Sequence, residues 1–512
     1  MEYKFNNYYE MLTNSALEYP KTVAIFENEV KINYKDLKQK VDRVAQFLRN
    51  HEISYKDRVA MIVTNSSEFI ISFLAITSIG AIAVPINTFL KKDEFAYILN
   101  DCNAKMLFVS DSHQKETQGL KESTQIQNVV VIGEAKRDDY LKFSDALACE
   151  PTTQICPAKL DDIANIMYTS GTTGHPKGAI ISYKNVFSNI LGINEIFSIT
   201  PKDRFIVYLP MFHSFTLTVM VIMPLFSASS EVVVKSVFPF SNVLKQTLLK
   251  KVTVFLGVPA IYTAIAKAKI PWYFKWFNSI RYFVCGSAPL AKQTIDDFER
   301  IFPRAKLLEG YGLSECSPLV SVNRPENKKV SSVGLALPNY QVKIVDEEMV
   351  EKKIGEVGEI IVKGDNVMQG YLNNPTATDD TIINGWLKTG DLGKVDKDGF
   401  IYIVDRLKDL IISKGQNIYP REIEELIYKL EEVEACAVIG IKDEAEDEDV
   451  IAFIQLKEDM SLDGAKVKAF LKGHLANFKI PKSIYFADEL PKNAAGKVLK
   501  RVLKEQIKGK IG

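Results

Sequence analysis

Residues 168–179 read YTSGTTGHPKGA and crowd three glycines, four small hydroxyl residues and a lysine into a few turns of chain. Glycines let backbone N–H groups approach phosphate oxygens, and Ser170, Thr172 and Thr173 add donors. Lys177 can set a point charge on the same phosphates. The spacing excludes a Walker A loop: Gly171 and Lys177 are too far apart, and Gly178 stands where a hydroxyl should follow the lysine. A glycine-rich surface turn is the plainer reading of such a loop, but this one follows the strongly apolar run IANIMYTS.

Four other residues are of chemical type: His213 between Phe212 and Ser214, Glu315 in GLSECSP, Asp391 in TGD, and Lys497 in NAAGKVLK. Taken singly, each has an ordinary explanation. A histidine after a strand is usually packed, and an aspartate in a turn is usually a turn residue. A lysine in a basic tail is usually solvated, a description that suits Lys500, Arg501 or Lys504 better than Lys497.

The elements that must position these residues alternate. Short apolar runs at 58–64, 128–134, 163–170, 204–210, 252–258 and 280–286 are separated by stretches with helical periodicity, such as 67–81. That pattern predicts α/β architecture with largely parallel sheets covered on both faces, and ligands beyond the carboxyl ends of the strands. After about residue 320, short alternating runs punctuated by Gly and Pro predict a small antiparallel region. The segment beyond Arg406 suffices for a small α+β domain.

With its neighbours in view, YTSGTTGHPKGA resembles the phosphate-loop signature of the adenylate-forming superfamily, the AMP-binding acyl-CoA synthetases and their kin, fatty-acid:CoA ligases included. Further matches follow in the family's order: LPMFHSFT, GSAPL, LLEGYGLSECSP, KTGDLG, VDRLKDLIISKGQNIYP and LPKNAAGKVLKR. The resemblance implies an N-terminal AMP-binding domain over 1–405 and a mobile C-terminal domain over 406–512. It implies attack of a carboxylate on the α-phosphate of ATP, giving acyl-AMP and pyrophosphate, followed by transfer to a thiol. Lys497 would bridge the carboxylate and the α-phosphate. Glu315 would place Mg2+, with Ser314 in the position where threonine is usual. Tyr311 would stack on adenine, with Gly286, Ser287 and Ala288 across the slot. Asp391 and Arg406 would hold the ribose. Thr169, Ser170, Gly171, Thr172, Thr173, Gly174, Lys177, Glu309, Gly310, Gly312 and Ile403 complete the nucleotide set. His213 would gate the route between thiol and acyl group; a carboxylate nucleophile needs no base at neutral pH. Lys408 would be the hinge about which the C-terminal domain turns between half-reactions.

The resemblance leaves the acid and the acceptor to be argued. FTLTVMVIMPLF (215–226) carries no acidic residue that could pair a substrate ammonium, so a hydrocarbon acid is expected. The acyl pocket is placed at Phe212, Phe215, Val219 and Cys285, although the same run also reads as core helix. CoA is the expected acceptor, with an acyl carrier protein, an aromatic acid and a silent binding protein as rivals.

PWYFKWFNS sets Trp272 against Trp276 and Tyr273 against Phe277 at i, i+4 spacing. That reads as structural packing, with a peripheral membrane contact as the other reading.

Bulk composition agrees. Lys plus Arg and Asp plus Glu are both 64 in 512 residues, against a nucleic-acid binder. The start, MEYKFNNYYEML, has no basic segment leading into an apolar core. Six scattered cysteines suit reduced thiols, so a cytoplasmic protein is expected, as monomer or homodimer.

Overall fold

The computed structural model describes residues 2–511 except 153, 155, 170–174, 268–269, 287–289, 291, 304, 414–415, 443–447 and 493–497; the side chains of 267 and 508–511 are also outside it. Two large sheets carry the N-terminal part. The first has nine strands, with Leu307–Gly312, Tyr282–Cys285, Val254–Gly257, Arg204–Val207, Ser230–Val233 and Val23–Glu27 running parallel at its centre. The second has eight strands, with Ile163–Thr169, Ile82–Pro85, Arg58–Ile62, Met106–Ser110, Asn128–Ile132 and Leu141–Lys142 parallel. Val254–Gly257 and Met106–Ser110 are buried throughout, as strands covered on both faces must be. The helix Ser67–Ser78 is buried on every side, so its near-continuous apolar sequence marks an interior helix.

The predicted α/β class with a small antiparallel region is what forms. Gln341–Val345, Gly358–Lys363 and Trp386–Val395 pair antiparallel, and Ile401–Arg406 joins the last of them. The C-terminal segment builds its own apolar clusters, around Ile423, Val438 and Leu471 on one side and Ile439, Phe453 and Leu503 on the other. Among the described residues no helix is long and apolar enough to cross a membrane.

Three local outcomes differ from the sequence reading. Ile163–Thr169 is parallel to Ile82–Pro85 on one side but turns back antiparallel into Lys177–Ser182 on the other. The few residues between these strands are too short for a parallel crossover, so the two strands pair as a hairpin. Lys500 is not a solvated tail lysine; its ammonium is largely buried and lies 2.8 Å from Glu424. Trp272, Tyr273, Trp276 and Phe277 do not pack into the core as their spacing suggested. Only Phe274 of the helix Trp272–Phe277 is buried, because a six-residue helix docked through one side chain turns the rest outward.

Candidate active site

Two strand ends, one short turn and a two-residue strand bring the first cluster together. Thr169 ends one strand of the hairpin and Lys177 begins the other. Glu315 sits in the single turn Ser314–Cys316, and its Oε1 accepts hydrogen bonds from the Thr169 hydroxyl at 3.2 Å and the Tyr371 hydroxyl at 3.0 Å. Tyr371 arrives because Gly370–Tyr371 pairs with the hairpin's second strand, opposite Ala179. The Lys177 ammonium lies 5.2 Å from the centre of the Tyr371 ring. Burial, and then the Glu315 carboxylate, push the Tyr371 phenol well above its ordinary value, so it stays a donor. Sequence reading missed Tyr371; its only signal was a Gly-Tyr pair after a strand.

A second cluster forms where Leu307–Gly312 faces the antiparallel region. Tyr311 donates to Asp391 Oδ2 at 2.7 Å, and Arg406 Nε lies 2.8 Å from Asp391 Oδ1. Asp391 and Arg406 are cross-strand partners, so the sheet register sets the ion pair. Asp391 is buried, and both of its oxygens are engaged. A diol bound here must share or displace one of these donors. Ile403 lies on the same strand as Arg406, and its carbonyl accepts from Arg421 Nη1 at 2.7 Å. Asp405 accepts from the Arg421 backbone N–H at 2.8 Å, which ties the start of the helix Pro420–Ile427 to this strand.

The glycines of LLEGYG permit close approach. A Cβ on Gly312 would fall 2.0 Å from the Pro318 carbonyl oxygen, so no other residue fits. Gly310 is tight as well, 3.2 Å from Leu319 Cδ1 on the same test. Glu309, buried on this strand, has its carboxyl pushed up to about 7 by burial, which outweighs backbone N–H donors and nearby cations.

The third group lies beside the second. Phe215 leads into a π-helical stretch, Thr216–Ile222, in which every residue is buried. Wide helical turns of this kind are rare and recur at functional sites. Phe212, Phe215, Val219 and Cys285 are all buried, and Phe215 lies 3.5 Å from where a Cβ of Gly286 would be. Phe89, not anticipated from sequence, meets Phe212 edge-to-face at 6.2 Å between ring centres. Ser214 Oγ lies 2.9 Å from Ser314 Oγ, linking this group to the turn that carries Glu315. His213 is exposed by surface area, yet desolvation by the protein around it lowers its pKa below the ordinary value. The ring is therefore neutral at pH 7.

The described residues thus unite Thr169, Lys177 and Glu315; Tyr311, Asp391 and Arg406; and Phe215 with Gly286. Lys408 stands apart, exposed in the turn Leu407–Asp409. Ser170, Gly171, Thr172, Thr173, Gly174, Ser287, Ala288 and Lys497 lie outside the described residues. No cluster of three metal-ligating side chains occurs among the described residues. One carboxylate beside a hydroxyl nevertheless fits Mg2+, which keeps waters and takes most of its oxygens from substrate phosphates.

Residues 12–372 match the family model described as AMP-binding enzyme, and residues 422–497 match AMP-binding enzyme C-terminal domain. A feruloyl-CoA synthase from Amycolatopsis sp is 34% identical, over 94% of this chain and 95% of that protein. A long-chain-fatty-acid–CoA ligase of Bacillus subtilis (strain 168) is 32% identical, over 97% of this chain and 94% of its own. Among solved structures, ATP-bound MatB from Rhodopseudomonas palustris superposes with a TM-score of 0.91 at 32% identity, covering 98% of this chain and 99% of that one.

Proposed function

We propose that this chain, which belongs to the AMP-binding enzyme family and is an AMP-forming acyl-CoA ligase using ATP and CoA, takes a medium- or long-chain fatty acid. The observation that carries the reading is the wholly buried run from Phe215 through the π-helix Thr216–Ile222, which offers apolar surface and no carboxylate. An amino-acid substrate would leave its ammonium unpaired there, at a desolvation cost that an alkyl chain avoids.

In this reading residues 170–174 and Lys177 hold the β- and γ-phosphates, and Glu315 would hold Mg2+. Mg2+ bound there would supply charge neutralisation to the phosphates. Tyr311 and Gly286 border the adenine; Asp391 and Arg406 take the ribose hydroxyls. Lys497 meets the incoming carboxylate and the α-phosphate, where negative charge accumulates most in the transition state. Neutral His213 borders the path from the acyl group to the thiol without acting as a base. The domain boundary is placed between 405 and 406, with Lys408 as the hinge.

A second reading, an aromatic acid, is favoured by the feruloyl-CoA synthase relative and by the rings of Phe212 and Phe215 at the expected acyl pocket, with Phe89 edge-to-face on Phe212. Pyrophosphate release across fatty, aromatic and amino acids, repeated with CoA and with holo carrier protein, decides between them. Highest kcat/KM for a saturated fatty acid with CoA is expected. A preference for a hydroxycinnamate would move the assignment to the second reading, and turnover only with carrier protein would change the acceptor.

A further inference from the structure

Residues 232–295 contain nine Lys or Arg and not one Asp or Glu, in a chain whose formal net charge is +0. Across the whole chain one residue in eight is acidic, so a stretch of this length would ordinarily hold about eight carboxylates. The helices of this segment share a face. Phe240–Leu249, Pro259–Lys267 and Trp272–Phe277 belong to crossovers that step the same way along the parallel strands, and right-handed crossovers place them on one side of the sheet.

On that face the helix Trp272–Phe277 is anchored by buried Phe274, whose ring lies 6.1 Å from that of Phe302. The same helix exposes Trp272 by 69%, Phe277 by 67%, Trp276 by 64% and Tyr273 by 46%. It touches the helix Phe240–Leu249, which ends in exposed Leu249. Lys275 is exposed on the aromatic helix itself, and Lys245 and Lys251 are exposed on and just after the helix it touches. Of the three carboxylates that follow on the next helix, Asp297 is engaged by Arg300 and Glu299 by Lys328, while Asp296 is exposed.

We propose that this face, centred on Trp272–Phe277, docks on an anionic lipid surface. Trp and Tyr favour the headgroup layer, where the ring is dry and the polar tip is wet. Lysines beside them snorkel to lipid phosphates. A second copy of the chain fits less well. Lysine is depleted at protein interfaces, like charges would face one another, and a helix roughly 9 Å long offers little of the ~800 Å2 per partner that a stable dimer buries. The proposal does not depend on which acid the enzyme activates.

The test is flotation of the full chain with vesicles of equimolar phosphatidylglycerol and phosphatidylcholine, and with phosphatidylcholine alone. Binding to the anionic vesicles only is expected, with release at about 0.5 M salt, where the Debye length falls to roughly 4 Å. Trp272→Ser/Trp276→Ser should lower the bound fraction about tenfold or more at unchanged Tm. Lys245→Glu/Lys251→Glu/Lys275→Glu, which leaves the aromatic helix intact, should do the same. The proposal is overturned if the parent ignores anionic vesicles or if both variants float like the parent. It is equally overturned if the parent sediments as a dimer that the tryptophan variant dissolves, which would assign the face to a second copy.

Discussion

Glu315 receives two hydroxyl donors, from Thr169 and Tyr371, and both reach the same oxygen, Oε1. Two donors on one oxygen set the carboxylate plane, so its second oxygen is aimed before any cation arrives. Tyr371→Phe removes one donor and keeps the ring beside Lys177. MgATP should then bind roughly 3- to 10-fold more weakly by calorimetry, in line with about 1 kcal/mol for one hydrogen bond. Tm should stay within a few degrees, and an unchanged Kd would leave Tyr371 with a packing role only. Glu309 makes a different claim. Its carboxyl titrates near 7 in the folded chain against an ordinary 4.5, so the folded state holds the proton between those values and the unfolded state does not. Its ionisation therefore costs stability as pH rises through that window, and the whole cost is present above it. Glu309→Gln should be more stable than the parent at pH 8, by on the order of 2–3 kcal/mol. The difference should shrink toward zero near pH 4.5; denaturation of both proteins at several pH values reads it directly.

At the scale of elements, the strand Leu307–Gly312 has to pass its last residue under a backbone carbonyl. Gly312→Ala drives a methyl into the Pro318 oxygen, an atom that cannot rotate away. A loss of roughly 2–4 kcal/mol is expected from such overpacking against backbone, read as the denaturant midpoint. Gly286 provides the contrast, because a Cβ there makes only ordinary contact with Phe215. Gly286→Ala should fold like the parent, and any effect should appear in KM for ATP or the acid. Equal destabilisation of the two variants would show that the close approach at Gly312 is not what demands glycine.

For the whole molecule, the proposed alternation separates two half-reactions. Lys497→Ala should cut acid-dependent pyrophosphate release on the order of 100-fold while sparing thioester formation from supplied acyl-AMP. Lys408→Pro, at an exposed turn between two strands, should fold normally, release pyrophosphate and slow thioester formation, because proline holds φ near one value. If both variants lose both steps equally, the C-terminal domain does not alternate about this turn.

Much of this was legible in the sequence because the signals lie within contiguous segments. The glycine-rich loop, GYGLSE and TGD each place chemical residue types at short spacings, and strand–helix alternation declares the α/β class through the periods 2 and 3.6. What was not legible depends on partners distant in the chain. Tyr371 reaches Glu315 only because a two-residue strand pairs with a hairpin almost 200 residues earlier. The resemblance set Asp391 and Arg406 on one ribose, but the direct bonds of Tyr311 and Arg406 to Asp391 come from strand placement and sheet register, which sequence spacing does not express. The tryptophans of 272–276 were misread as core because i, i+4 spacing is identical for a packed face and a displayed one. The sequence by itself determined the family chemistry and the charge of segment 232–295. Tertiary structure alone decided which side chains meet and which face water, because burial and register belong to the packing of separate elements.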